Sequence, residues 1–115
     1  MLKKIGLLIG VVVSVTLLSF QFLKTQLRIT VYDDTGNSHE NVEIKLYENE
    51  EDYNNDKIAF GPLKTNKKGK VTFHAVGEGP YFIEATKGEL SNTFNGEKTA
   101  KLLKGKINKV VVIIE

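Results

Sequence analysis

The chain has 115 residues, 41% of them hydrophobic and 26% charged, with no Cys and no Trp. That is enough for one small domain with one core, and the absence of Cys excludes a disulfide framework, a thiol nucleophile and a lipidated N-terminal Cys. The formal charge of +2 comes from the first 25 residues: from Gln26 onward, 13 Lys and Arg stand against 14 Asp and Glu, a net of −1, with no basic stripe that interleaves aromatics, so nucleic acid is not an expected partner.

Residues 5–23 form a run of 19 in which only Gln21 is strongly polar. At a helical rise of about 1.5 Å per residue the run reaches roughly 28 Å, close to a hydrocarbon core of about 30 Å. Its Val and Ile content is no obstacle, because a helix in lipid satisfies its own backbone. The competing reading is a cleaved signal peptide, whose apolar stretch is shorter, about 7–15 residues, and ends in small residues. Here the exit is Leu-Leu-Ser-Phe-Gln-Phe, bulky at most of the positions a peptidase must admit. Residues 1–25 are therefore read as an uncleaved signal anchor making one N-terminal transmembrane helix. Lys3 and Lys4 precede the run and Lys24 and Arg28 follow it. With the amino terminus, that balance favours an inside N-terminus and an exported domain on the periplasmic or extracellular side of an inner (cytoplasmic) membrane.

Residues 26–115 alternate with period two. Leu27, Ile29 and Val31 share one face of a first strand, and Asp33 to Asn37 is a turn. Val42, Ile44 and Leu46 alternate with Glu43, Lys45 and Tyr47 in a second strand with one wet face. Residues 48–57 lose the alternation and read as an exposed loop. A weaker strand covers 58–65, where Gly61-Pro62 signals an edge or a bulge. The turn at 66–69 leads into Val71, Phe73 and Ala75, and Gly77-Glu-Gly-Pro80 leads into Tyr81, Ile83 and Ala85. A loop through 88–96, a short strand over 99–103 and a last strand over 107–114 complete the chain. Seven short strands, closely spaced turns and no amphipathic helix predict an all-β, seven-stranded antiparallel sandwich behind the anchor.

Leu-Arg-Ile-Thr-Val-Tyr-Asp-Asp-Thr-Gly-Asn at 27–37, Val-Glu-Ile-Lys-Leu-Tyr at 42–47, Thr-Asn-Lys-Lys-Gly-Lys-Val-Thr-Phe at 65–73 and Gly-Pro-Tyr-Phe-Ile-Glu-Ala at 79–85 carry a resemblance. Across 27–115 the chain resembles a carboxypeptidase-regulatory-like domain, the transthyretin-like (prealbumin-like, Ig-like) sandwich of bacterial envelope proteins. The matching residues are folding residues: Gly69 ends a tight turn, Val71 and Phe73 point inward, and Tyr81 and Ile83 fill the same core. The resemblance implies an accessory or binding module, here standing alone behind an anchor.

Sharper chemistry lacks its residues. Zinc peptidases need about three protein ligands and a general base, and the two histidines, His39 in a turn and His74 on an outward face, read as ordinary surface residues. No Gly-x-Ser-x-Gly elbow is present. Transthyretin-like hydrolases of purine breakdown end in Tyr-Arg-Gly-Ser, whereas this chain has a single Arg, Arg28, and ends Val-Val-Val-Ile-Ile-Glu. In pilin and adhesin domains of related shape an internal Lys–Asn amide forms from a Lys two residues before the first-strand Asp. That position is Val31 here, and 110–114 offers no Asn. The oxygen-rich loop with Glu48, Glu50, Glu51, Asp52 and Asp56 lacks EF-hand spacing, so neither metal nor cofactor is expected. The last strand is apolar on both faces. Val110, Val112 and Ile114 face one way and Val111 and Ile113 the other, which marks Val111 and Ile113 as a candidate partner face or else a face covered by loops.

The functional expectation is a non-enzymatic, membrane-tethered binding or assembly module of the bacterial cell envelope with a protein partner. The alternative is a carbohydrate- or peptidoglycan-contacting module, ranked lower because sugars favour aromatic platforms and only Tyr47, Tyr53 and Phe94 fall outside the core pattern.

Overall fold

A computed structural model describes residues 23–93 and 97–115. The apolar run at 5–23 lies outside them except for Leu23, as does Phe94. Among the described residues no helix is long and apolar enough to cross a membrane.

The alternation read from the sequence produces two sheets. Strands β1 (Thr25–Asp33), β4 (Lys70–Val76) and β7 (Ile107–Ile114) form one, in the order β4-β1-β7. Strands β2 (Glu43–Tyr47), β3 (Phe60–Lys64), β5 (Phe82–Lys87) and β6 (Leu90–Ser91) form the other, in the order β3-β2-β5-β6. Leu27, Ile29, Val31, Phe73, Val112 and Ile114 from the first sheet meet Ile44, Leu46, Ile83 and Ala85 from the second in one buried cluster. The hydrophobic effect acts on these inner faces, and β1 turns its polar alternates Gln26, Arg28 and Thr30 outward.

The sheet is not purely antiparallel. β1 and β7 run parallel over eight residue pairs, from Gln26 with Ile107 to Asp33 with Ile114. Strand alternation alone cannot distinguish the two directions, because both keep a period of two. The strand count of seven holds among the described residues, but the sixth strand is not the expected one. Residues 99–103 form no strand, and the backbone there is satisfied piecemeal: Thr99 donates to the Tyr81 carbonyl, Leu102 to that of Glu78, and Leu103 to the Asn108 side chain. The two-residue β6 instead lies in the stretch expected to be a loop. Ser91 exchanges both backbone hydrogen bonds with Glu115, at 3.2 and 3.0 Å, so β6 meets the end of β7 and joins the two sheets along that seam.

Three further differences have local causes. Between β1 and β4 the register advances two residues on one strand and three on the other, from Thr25 with Val76 to Leu27 with Phe73. This bulge turns Ala75 out to solvent and brings Val76 against the core. Tyr47, expected on the wet face, is wholly buried. It sits edge-on to Tyr53, ring centroids 5.3 Å apart, and its hydroxyl donates to Asp56 Oδ1. Tyr53 belongs to a single helical turn, α1 (Glu50–Asn54), inside the expected loop, capped where Asn49 accepts from the Asp52 N–H at 2.7 Å. Three acidic residues in that first turn suit the helix dipole. β3 is both an edge strand and bulged opposite Ile44 and Leu46, as Gly61-Pro62 signalled.

Candidate partner surface and polar clusters

The outward face of the β4-β1-β7 sheet is set by the parallel register. Gln26, Arg28, Thr30 and Tyr32 of β1 stand beside Ile107, Lys109, Val111 and Ile113 of β7. Of the two residues singled out from the sequence, Val111 is 55% exposed and Ile113 is half-buried. Their inward neighbours Val112 and Ile114 are wholly buried. The two outward residues differ because of what lies at the free edge of β7. The carboxyl group of Glu97 lies against the Ile113 N–H, and burial beside the strand pushes its pKa up. Glu97 thus lies beside Ile113, while Val111 stays open.

Farther down the same strand, Ile107 is 47% exposed and Leu103 64%. Asn108 holds this region in shape. Its Oδ1 accepts from the Leu103 N–H at 2.8 Å, and its Nδ2 donates to the carbonyls of Gln26, Leu103 and Lys106. A groove of about 390 Å³ runs between residues 100–103 and 107–110.

At the opposite end of the sandwich Asp33 organises the first turn. Its Oδ1 accepts from the Thr35 N–H and hydroxyl and from the Asn37 N–H at 2.6–3.0 Å, and Oδ2 lies 2.7 Å from His39 Nε2. The Thr35 hydroxyl, His39 and the Asn37 N–H hold the Asp33 carboxyl well below the usual carboxylate range. Lys87 Nζ approaches His39 Nδ1 at 3.5 Å. Both ring nitrogens thus face protein groups, so the trio works as a clip between the turn and β5, with no ring nitrogen free for a substrate. Sequence reading placed His39 in a turn but missed this clip, whose Asp33–His39 spacing has no recognisable signature. Gly69 completes the clip: it adopts φ +75°, and a Cβ there would lie 2.9 Å from the Val31 carbonyl oxygen. His74, exposed, meets Gln26 Oε1 at 3.1 Å.

No group of three His, Cys, Asp or Glu side chains among the described residues could hold a metal ion. A cavity of about 200 Å³ lies beside Glu50, Tyr53, Asn54, Phe82, Asn92 and Glu97, and two of these groups are already engaged. Asn92 spends its amide on the Ala85 N–H and Ile83 carbonyl, and Lys98 stacks over Phe82 at 5.4 Å. Compared with protein-family models and with curated proteins, the chain matches none.

Proposed function

We propose that this protein is a membrane-tethered, non-enzymatic binding or assembly module of the bacterial cell envelope, with a transthyretin-like sandwich of the carboxypeptidase-regulatory type carried by an N-terminal anchor on the exported side of the inner membrane. The observation that carries this reading is the open apolar stretch of β7. The core is already closed by Val112 and Ile114, yet Val111 and Ile107 stay in water on the other side of the strand. Leaving such side chains wet forgoes about 25 cal/mol per Å², and a protein partner seated on Val111 recovers it. The carbohydrate alternative is weakened because Tyr47, one of three aromatic candidates, is buried and Tyr53 is stacked against it.

Fractionation followed by mass measurement of the mature chain tests the tether. The expected result is a full-length protein that stays with the membranes after an alkaline wash. A mature N-terminus anywhere in residues 18–27 would show that the leader is cut and the domain released.

A further inference from the structure

The described part of the leader ends beside a specific piece of the sandwich. Leu23 is 58% exposed, and a Cβ on Gly105 would stand 3.5 Å from its carbonyl oxygen and 3.8 Å from its Cβ. The turn at 103–108 is fastened to the start of β1 by three further bonds. Gly105 N–H donates to Thr25 Oγ1 at 2.9 Å, Gln26 N–H to the Lys106 carbonyl at 2.9 Å, and Asn108 Nδ2 to the Gln26 carbonyl at 3.1 Å. Leu23, Leu103 and Ile107 are thereby held exposed at one end of the molecule, on the same segments as the exposed Lys24, Lys104, Lys106 and Lys109.

Charge is segregated there. Residues 98–114 contain five Lys and no Asp or Glu, in a domain whose net charge from Gln26 onward is −1. Only Lys101 of these five has an ion-pair partner among the described residues, Glu78 at 4.0 Å, and both side chains are largely exposed. The acidic turn α1 lies at the same end of the sandwich but on the other sheet, since β2 ends at Tyr47 opposite Phe82.

We infer that this Lys-rimmed apolar end, Leu103 and Ile107 with Lys104, Lys106 and Lys24, rests on the anionic headgroups of the bilayer that holds the leader. The inference rests on the tethered reading, and the linker makes it concrete. Only Lys24 separates the apolar run from β1. One residue spans at most about 3.6 Å, whereas each headgroup layer is about 5–7 Å deep. A sandwich joined so closely cannot stand clear of the surface. Exposed Leu and Ile at headgroup depth with Lys ammonium groups at phosphate level is the arrangement an interfacial surface requires. The acidic α1 on the opposite sheet tilts the domain so that the β7 side faces the lipid.

The chain has no Trp, so a single introduced indole reports on its own site. Full-length protein carrying Ile107→Trp is reconstituted in vesicles of phosphatidylcholine with about one third phosphatidylglycerol, with bromine on the acyl chains near the headgroup. Leu103→Trp is the second reporter, and Leu63→Trp on β3 the distant control. We expect at least about twofold quenching at positions 103 and 107 and none at 63. Adding Lys104→Glu and Lys106→Glu, or replacing the anionic lipid with phosphatidylcholine, should remove most of it. Protein that remains embedded after an alkaline wash but whose indoles at 103 and 107 stay as open to aqueous iodide as that at 63 overturns the lipid contact and leaves this end for a protein partner. Equal quenching with and without anionic lipid overturns the headgroup recognition. Protein that washes off the vesicles refutes the tether itself, and the docking with it.

Discussion

At the level of single residues, Asp33 links the fold to acidity. Its folded carboxyl is held below its ordinary value by Thr35, His39 and Asn37. The unfolded chain therefore takes up a proton, from about pH 4 downward, that the folded protein refuses. The stability it contributes is complete above that pH and is lost progressively as the pH falls further. Denaturant melts of wild type and Asp33→Asn should differ at pH 6 and draw steadily closer as the pH falls below about 4; a gap that stays constant across the range would show that the turn does not depend on the charge. The two outward residues of β7 should also behave differently from each other. Val111→Lys on an open site should change stability by no more than about 0.5 kcal/mol. Ile113→Glu places a second carboxylate beside Glu97 at a half-buried position and should cost about 1–3 kcal/mol. Equal effects in thermal melts would mean that Glu97 does not set Ile113 apart from Val111.

At the level of elements, the bulge between β1 and β4 decides which side of β4 is core. Phe73→Ala should cost about 3–5 kcal/mol of a total near 5–15 kcal/mol. Beyond it, Val76→Asp should destabilise by about 1–3 kcal/mol, while Ala75→Lys should be tolerated within about 0.5 kcal/mol. Reversal of the last two in urea melts would place the bulge elsewhere. The sequence made Val71 and Phe73 legible because alternation is a local signal, and it signalled the irregular β3 through Gly61-Pro62. It could not show that one extra residue at Ala75 shifts the phase, since a bulge is settled by the partner strand's register. Tyr47 was misread for a similar reason: it continues the polar phase of β2, and only the folding of α1 over the strand end buries it. The strand expected at 99–103 and the β6 found at Leu90–Ser91 were decided by long-range partners, Tyr81, Glu78 and Glu115, that no local pattern announces. Among site residues, the outward direction of Val111 and Ile113 was legible. The difference in their cover was not, because it depends on Glu97.

At the level of the whole molecule, a sequence with an apolar leader and a nearly neutral sandwich becomes an asymmetric object. One end gathers Lys around exposed Leu and Ile, and the other is knotted by the Asp33–His39–Lys87 clip. The parallel pairing of β1 and β7 sets these ends apart. Both strands start at the Lys-rich end and run away from it together, so β1 begins beside the leader while β7 finishes at the far end. Tension between the start of β1 and residue 115 therefore pulls the two strands in opposite senses along their length. All the rungs between Gln26–Ile107 and Asp33–Ile114 share the load at once, instead of opening one after another like a zip. Held at residues 25 and 115 in a single-molecule pulling experiment, the domain should resist markedly higher force than when held at residues 43 and 115, a geometry that leaves β1 outside the loaded path. With the proposed tether at the start of β1, a load on residue 115 meets the sandwich in this shearing geometry.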